Sequence, residues 1–319
     1  MRGDRVAFLS KLGADKPRPS LPLADDGRAA PAAIRAITDR RVMRSVDQGP
    51  PLRVRLGFRK VGRIAFNSHL DLVRHFPRMF RRIELPLYFS EGFHPAPQMT
   101  FSPALSLGIS SLGEYIDVKL RGRDLEDGRL DSLMADLNAV AFEGIEFFGM
   151  EKLGPNDPAL SRVIDEAQYV AGIPRATLPS LGVADEAELR ARIEARLAED
   201  KLVVRRTVKG IGKNVDVKNT LATLVLGEGG DALAAAGIEG DLVPLRLGIR
   251  IAQAGTAKSS EVLQAIFERD EVFARLVRTG LFARRGEALH TPLELEAIRL
   301  ARSEARSESR AEAESGVAS

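Results

Sequence analysis

Alternation of apolar and polar residues marks the first regular element of the chain. Every second residue from Leu52 to Phe58 is apolar, and the positions between and after them hold three arginines and a glycine: Arg53, Arg55, Gly57 and Arg59. Side chains of a strand point alternately to its two faces, so a period of two indicates a half-buried strand. The pattern predicts a strand with one face in the core and a basic outer face.

A helical period follows this strand. Leu72, Phe76 and Phe80 recur at intervals of four residues, which places them on one face of a helix. Ser68 precedes this run and Asp71 follows it by three positions, as in a capping box, so we expect the helix to begin after Ser68. Pro77 lies inside the pattern and predicts a kink, because proline removes a backbone donor and its ring crowds the preceding turn.

Read in this way, the chain alternates strands and helices twice. The first unit has the order strand–helix–strand–strand–helix–strand, and the second repeats that order in outline. We therefore predict an α+β fold of two tandem ferredoxin-like domains, residues 51–155 and 156–286. The flanking segments are rich in charge, alanine and proline. They predict a disordered tail over residues 1–50 and a charged, helical or disordered tail over residues 287–319.

The complete absence of cysteine limits the chemistry of this chain. It excludes disulfides, a thiolate nucleophile, cysteine-ligated zinc and an iron–sulfur cluster held by cysteine. The chain has four histidines, at positions 69, 75, 94 and 290, and they do not have the spacing of a metalloprotease helix. We expect no metal and no cofactor bound by this chain.

Apolar runs in the sequence are short. None approaches the length that a membrane span requires, and the first twenty residues are too polar for a secretory signal. The expectation is a cytoplasmic protein without a membrane partner.

Positive charge is concentrated in two regions. Residues 52–100 contain nine Lys or Arg against three Asp or Glu, and residues 201–218 contain six against one. Such islands are typical of solvated surfaces and also of phosphate contacts that release counterions from a nucleic acid. The candidate RNA-binding residues are Arg53, Arg55, Arg59, Lys60, Arg63, Arg74, Arg78, Arg205, Arg206, Lys209 and Lys213.

A loop with restricted geometry follows the predicted helix. We call it the motif loop, and its defining residues are Ser90, Gly92, Phe93, His94 and Pro95. Glycine permits a positive φ and proline restricts φ, so the loop is expected to be preshaped. His94, Glu91 and His69 are weak catalytic candidates, although local hydrogen bonding by His69 is an alternative. Aromatic residues near the loop are candidates either for base stacking or for the core: Tyr88, Phe93 and Phe101.

Several short motifs occur together between residues 66 and 120. They are a Ser-His-Leu-Asp helix start, a Tyr-Phe-Ser-Glu-Gly-Phe run, and Phe-Ser-Pro, Leu-Gly and Gly-Glu-Tyr segments: Ser68–Asp71, Tyr88–Phe93, Phe101–Pro103, Leu107–Gly108 and Gly113–Tyr115. In combination, this stretch resembles the radical-SAM-linked protein family. This bacterial domain of unknown function is found fused behind, or encoded beside, a cobalamin-binding-type radical SAM protein.

The resemblance is strong over residues 52–120 and looser to about residue 285, where the Lys-Gly-Ile-Gly-Lys stretch from Lys209 resembles a lysine-rich segment of the family. Two positions depart from the family pattern. Ala96 stands where the family usually has a second histidine, and Gln98 stands where it has a basic residue. The resemblance implies a separately encoded radical SAM enzyme as partner.

Three functions are compatible with these features. The first is a non-catalytic accessory module of a radical SAM system that binds RNA and presents it for modification. The second is a protein-interaction adaptor for the radical SAM partner, in which nucleic acid has no role and the motif loop docks the enzyme. The third is a metal-independent RNA-processing enzyme that uses His94 and Glu91. Without cysteine, the chain cannot carry the radical SAM cluster itself.

Overall fold

The protein has a mixed α+β fold with one large sheet and one small sheet. The computed structural model describes residues 47–208, 210–252, 255–301 and 303. The strands are β1 (Pro51–Lys60), β2 (Met99–Phe101), β3 (Ser110–Arg121), β4 (Ile145–Leu153), β5 (Glu166–Pro174), β6 (Val203–Val208), β7 (Ile211–Asp216), β8 (Leu221–Leu226), β9 (Leu242–Arg250), β10 (Arg275–Arg285) and β11 (Ala288–His290).

Helices connect most of these strands. They are α1 (His69–Arg82), α2 (Arg129–Val140), α3 (Leu160–Val163), α4 (Glu186–Ala198), α5 (Gly230–Ala235) and α6 (Ser259–Phe267). Residues 295–301 are also helical. None of the helices in the described part of the chain has the length and apolar character needed to cross a membrane.

The large sheet is continuous and has the order β4-β1-β3-β10-β5-β9-β8. Strand β2 also pairs with β3, and β11 pairs with β10. All pairs are antiparallel except the pair of β10 and β3, which run parallel where Val277 and Arg278 lie opposite Ser110 and Ser111. This parallel contact, here called the seam, joins the amino-terminal and carboxy-terminal halves of the sheet.

The two halves share one strand order. The first half reads β4-β1-β3-β2 and the second reads β10-β5-β9-β8. In each half the fourth strand in the chain lies beside the first, and the third lies between the first and the second. The β6–β7 hairpin is inserted in the second half and forms the separate two-stranded sheet. The boundary at residue 155 stays a prediction.

In each half two helices pack onto one face of the sheet, and in the second half Leu233 of α5 packs against Val170 on the opposite face of β5. In the first half, buried side chains of β1 and β3 pack against α1 and α2, and in the second half β5 and β9 pack against α4 and α6. The predicted start of α1 is confirmed. The Ser68 hydroxyl accepts a hydrogen bond from the Asp71 N–H at 3.3 Å, and the Asp71 carboxylate accepts one from the Ser68 N–H at 2.9 Å. Pro77 is buried inside this helix.

The predicted basic outer face of β1 is wrong at its centre. Residues 54–58 are buried on both faces of the strand, and Arg55 is 0% exposed. Its guanidinium binds both carboxylate oxygens of Asp117 at 2.7 and 3.0 Å and donates to the carbonyls of Pro158 and Pro292 at 2.8 and 3.1 Å. The face is covered because chain segments from far along the sequence lie over it.

One of these covering segments is the predicted carboxy-terminal tail. It is not a solvated tail over its described part, because Leu295 and Ile298 are buried in the helix of residues 295–301. Arg299 holds this helix to Asp157 through two hydrogen bonds of 2.9 and 2.6 Å. Hydrogen bonding by Arg299 lowers the pKa of Asp157 to about 2, so this pair stays charged in any mildly acidic solution.

The predicted amino-terminal tail lies outside the described residues except for positions 47–50. Within that short stretch, the Gln48 side chain pairs with the backbone of Phe89. It accepts a hydrogen bond from the Phe89 N–H at 2.7 Å and donates to the Phe89 carbonyl at 2.9 Å. This stretch is therefore tied to the strand end that leads into the motif loop.

Candidate functional site

A buried ion pair crosses the seam between the two halves of the sheet. Arg278 on β10 is 1% exposed and Glu114 on β3 is 5% exposed. The Arg278 Nε donates to Glu114 Oε1 at 2.8 Å, and its Nη2 binds the same carboxylate and the Pro103 carbonyl, the latter at 3.0 Å. Tyr169 of β5 is a further hydrogen-bonding partner. Burial acts to lower the pKa of Arg278, but Glu114 outweighs it and the pKa lies above its ordinary value.

Ser102 fixes the same carboxylate from the first half. Its hydroxyl lies 3.1 Å from Glu114 Oε2 and accepts a hydrogen bond from the Tyr115 N–H at 3.2 Å. The Ser102 N–H in turn donates to the Tyr115 carbonyl at 2.8 Å. These bonds anchor the chain where it leaves β2, so residues 103–109 begin directly over the ion pair.

A buried lysine adds positive charge to this region. Lys60 is 2% exposed, and its ammonium donates to the carbonyls of Asn67 at 2.7 Å and Ala65 at 3.3 Å. Burial lowers the pKa of Lys60, while the charge of Glu114 opposes that change and the charge of Arg278 adds to it. We call Lys60, Ser102, Glu114 and Arg278 the seam network. With two cations and one anion, its formal charge is positive.

His69 lies beside this network, and His94 does not. The His69 ring packs edge-on against Phe101 at a centroid distance of 5.3 Å and lines a small cavity of about 10 Å³ together with Lys60 and Glu114. A cavity of that volume has room for about one water molecule. The helix cap is made by Ser68, and His69 is the first helical residue. His94 is exposed on the motif loop.

A larger cleft lies on the second-half side of Arg278. Its volume is about 250 Å³. Residues 103–109 form one wall, β5 and β9 form the floor, and the amino-terminal end of α6 forms the opposite wall. The lining residues are Pro103, Ala104, Ser106, Ile109, Ala167, Tyr169, Ile249, Ile251, Thr256, Ala257, Lys258, Ser259 and Arg278. The cleft therefore combines an apolar floor with a few polar groups.

The motif loop is an exposed connection closed by backbone bonds. The Ser90 N–H donates to the Ala96 carbonyl at 2.8 Å, and the Ser90 hydroxyl accepts from the Ala96 N–H at 3.1 Å. Gly92 has a φ of 115°, a left-handed conformation that favours glycine. Glu91, His94 and Pro95 are exposed, and Phe93 is 87% exposed. The Ser90 hydroxyl accepts from this loop amide, and no hydrogen bond joins it to His94 in the described structure.

The structure divides the predicted RNA-binding residues of the first basic region. Arg55 and Lys60 are buried and bound to protein groups, so they are not part of any exposed basic surface. Arg53 is half-buried and donates to the carbonyls of Gly154 and Asp157. Arg59 is exposed and lies 3.2 Å from Glu146. The remaining members are exposed on the turn before α1 and on α1 itself: Arg63, Arg74 and Arg78.

The second basic region builds the β6–β7 hairpin, which we call the basic hairpin. Arg205 and Lys213 are exposed, and neither has an ion pair among the described residues. Arg206 is not free in the same way, because its Nε donates to Glu261 Oε1 at 2.6 Å and its Nη2 to the Thr256 carbonyl at 2.8 Å. Lys209 lies outside the described residues. Two of the four predicted cations in this region are thus placed at the surface.

The three aromatic candidates have different environments. Phe101 packs against the hydrophobic core of the first half of the sheet, with its ring centroid 5.3 Å from that of Phe76. Tyr88 is half-buried, and its backbone pairs with Lys119 and Gln98. Phe93 alone among the three is exposed, so it is the one that remains available to contact a partner.

Sequence reasoning missed Glu114, Arg278 and Ser259 as site residues. Glu114 was present only as part of the Gly-Glu-Tyr motif. Arg278 had a weak signal, since it is a single arginine within the strand sequence Leu-Val-Arg-Thr-Gly-Leu-Phe. Ser259 was not among the candidate residues, and in the structure it is the first residue of α6.

No cluster of three or more His, Asp or Glu that could hold a metal ion occurs in the described residues.

Comparison with known proteins places the chain in a family without assigning an activity. A search of the curated proteins found no match. A family model described as an uncharacterized protein conserved in bacteria (DUF2344) matches residues 53–246, which include the motif loop, Glu114 and the basic hairpin. The chain therefore belongs to the DUF2344 family of uncharacterized bacterial proteins.

Proposed function

We propose that this protein is a non-catalytic accessory module of a radical SAM system, and that it binds RNA and presents it for modification. The link to radical SAM chemistry is supported by the resemblance carried by the motifs between residues 66 and 120. A cytoplasmic location is part of the same proposal. The nucleic-acid part is supported by the geometry of the basic hairpin.

The distal half of the basic hairpin is exposed on both of its faces. Residues 211–214 of β7 are all exposed, although neighbouring side chains of a strand point in opposite directions. Arg205 lies opposite Asn214, and Lys213 lies opposite Arg206, so Arg205 and Lys213 project from opposite faces. A two-stranded ribbon that carries cations on both faces is suited to contact phosphates on either side of it. This is the observation that carries the proposal.

We also propose that both halves are ferredoxin-like domains. Support comes from the strand orders β4-β1-β3-β2 and β10-β5-β9-β8, which correspond to the split βαβ arrangement when the basic hairpin is treated as an insertion. Ferredoxin-like sheets are a common platform for single-stranded RNA, so the fold is compatible with the proposed role without specifying it.

Charge reversal on the basic hairpin tests RNA binding. We expect the Arg205→Glu, Lys213→Glu double variant to bind short single-stranded RNA about tenfold or more weakly than the parent protein, because two phosphate contacts become repulsive. The slope of log affinity against log salt concentration should fall by about 1.4, at about 0.7 per lost contact. Fluorescence anisotropy with labelled RNA of random sequence measures both quantities.

The matched control makes the same change of net charge elsewhere. Arg162 on α3 and Arg190 on α4 are exposed, so Arg162→Glu with Arg190→Glu reverses two charges away from the hairpin. This control should bind RNA within about twofold of the parent, as a change in net charge alone acts weakly through screened solvent. Equal losses in the two double variants, or binding by the parent protein that does not depend on salt, would contradict the proposal.

The exposed Phe93 favours a second candidate, a protein-interaction adaptor. An aromatic side chain that is 87% exposed in a loop of fixed geometry is typical of an anchor that is buried on binding. In this case, the Phe93→Ala, His94→Ala variant should lose the radical SAM enzyme that the resemblance implies as a partner, as measured in a co-expression pull-down. Phe273→Ala is the control, since Phe273 is 66% exposed outside the loop. Full retention of the partner by the loop variant would eliminate the motif loop as the docking site.

A further inference from the structure

The cleft beside Arg278 has two chemically different ends. Its floor is apolar and is formed by Ala167 on β5 and by Ile249 and Ile251 at the end of β9, with Ile109 on the wall. Its polar end is formed by Arg278, Lys258 and Ser259. Small-molecule sites are typically mostly apolar with a few convergent polar groups, and this cleft has that composition.

Ser259 is an unusual residue at the polar end. It is 6% exposed, and its hydroxyl has no hydrogen-bond partner among the described residues. The hydroxyl is not one of the fully buried side-chain atoms that lack a partner, so it is open to the cleft that Ser259 lines. It is therefore available to hydrogen-bond a group bound in the cleft.

The same end of the cleft is the amino terminus of α6. This helix has nine residues, so its first turn presents backbone N–H groups and the positive end of its dipole. Glu261 occupies one of these positions by accepting from the Lys258 N–H at 2.8 Å. The N–H groups of Ser259 and Ser260, as the first two of the helix, have no acceptor within the helix. Donors at a helix amino terminus commonly bind an anionic group.

The charges around the cleft also favour an anion. Arg278 and Lys258 are the cations among the residues that line the cleft, and these lining residues include no carboxylate, although Arg278 is already paired with Glu114. The other nearby carboxylate, Glu261, is bound by Arg206. Tyr169 and Thr256 are uncharged lining groups that face the cleft from β5 and from the segment before α6.

We propose that this cleft binds a small organic molecule with an acidic group, either a carboxylate or a phosphate, and an apolar body. The acidic group lies against Ser259, Lys258 and the start of α6, and the body lies on Ile249, Ile251 and Ala167. The volume of about 250 Å³ is just below the range of about 300–1,000 Å³ that is common for such sites, so the ligand is small. The assignment does not depend on RNA binding, because the basic hairpin does not line the cleft.

Phenyl phosphate and benzoate are the probes, with benzyl alcohol as the neutral reference. Methyl NMR of isoleucine-labelled protein should show shifts at Ile109, Ile249 and Ile251 when phenyl phosphate or benzoate is added. The preferred probe identifies the acidic group as phosphate or carboxylate. Benzyl alcohol should bind at least about tenfold more weakly, because it lacks the charge that the polar end recognises. If neither anion shifts these resonances, or if benzyl alcohol binds as well as the anions, the proposal is overturned.

Two adjacent serines provide a matched pair of variants. Ser259→Ala should weaken binding of the preferred probe about tenfold in calorimetry, since it removes a hydrogen bond to a charged group. Ser260 is exposed and does not line the cleft, so Ser260→Ala should bind as the parent protein does. Ser106→Trp fills the cleft from its exposed wall and should abolish binding. Unchanged affinity in both Ser259→Ala and Ser106→Trp would place the ligand elsewhere and overturn the assignment.

The basic-hairpin variant separates this inference from the proposed function. Arg205→Glu with Lys213→Glu should leave the affinity for the probe unchanged even where RNA binding is lost. Loss of probe binding in that variant would contradict a cleft site that is independent of the hairpin.

Discussion

We expect Arg278→Ala to lower the free energy of unfolding by about 3–5 kcal/mol, which is the usual effect of removing one partner of a buried ion pair. The substitution leaves the Glu114 carboxylate, which is 5% exposed, without its guanidinium partner, and among the described residues Ser102 would remain to hydrogen-bond it. The stability of a folded protein is only about 5–15 kcal/mol, so this loss is a large fraction of it. Urea denaturation followed by circular dichroism measures the change.

Two further variants show whether the effect comes from the ion pair. Arg275→Ala removes an exposed arginine of the same strand, whose one hydrogen bond to the described residues is to the Glu239 carbonyl, and should cost less than about 1 kcal/mol. Glu114→Gln combined with Arg278→Met removes both charges of the pair, and should be less destabilised than Arg278→Ala because neither member is left buried without the other. A loss in Arg278→Ala no larger than that in Arg275→Ala would show that the seam does not depend on this pair.

Arg55→Ala should also lower the free energy of unfolding by about 3–5 kcal/mol. The substitution leaves the Asp117 carboxylate unpaired inside the protein and removes the donor of the Pro158 and Pro292 carbonyls. Because Pro292 precedes the helix of residues 295–301, the covering segment should also loosen. We expect faster limited proteolysis near residue 292 in addition to the shift in the urea midpoint.

Another arginine of β1, Arg59, is the control for the stability loss expected in Arg55→Ala. Arg59 is exposed and paired with an exposed Glu146, so Arg59→Ala should change stability by less than about 1 kcal/mol. If Arg55→Ala fails to fold, Arg55→Lys keeps the charge while losing the bidentate geometry, and an intermediate loss is expected. An Arg55→Ala protein as stable as Arg59→Ala would contradict the structural role assigned to Arg55.

Local patterns in the sequence correctly predicted individual elements. The period of two around Leu56 predicted β1, and the Ser68–Asp71 cap with Leu72, Phe76 and Phe80 predicted α1. These predictions succeeded because periodicity and capping depend on residues only a few positions apart. The concentration of positive charge over residues 201–218 was also visible in the sequence, and the exposure of Arg205 and Lys213 agrees with its being a surface feature.

Burial of charge could not be predicted in the same way. Arg55 looked like an outward residue of an amphipathic strand, and Lys60 looked like part of a basic surface. Both are buried, because the segments that cover and neutralise them come from elsewhere in the chain. Arg55 and Asp117 are 62 positions apart, and Arg55 and Pro292 are 237 apart. The sequence predicted a charged, helical or disordered tail over residues 287–319, but the docking of its helical part could not be foreseen for the same reason, since the partner Asp157 is 142 positions from Arg299.

By itself, the sequence determined the α+β class, the start of the first helix, the basic character of residues 201–218 and the absence of any cysteine chemistry. Only the tertiary structure decided that Glu114 and Arg278, separated by 164 positions, meet at a parallel seam and that a cleft opens beside them. The physical reason is how far apart along the chain the interacting residues lie. Helix and strand periods are set by neighbours along the chain, whereas a buried charge and the cleft next to it depend on which distant segments pack together.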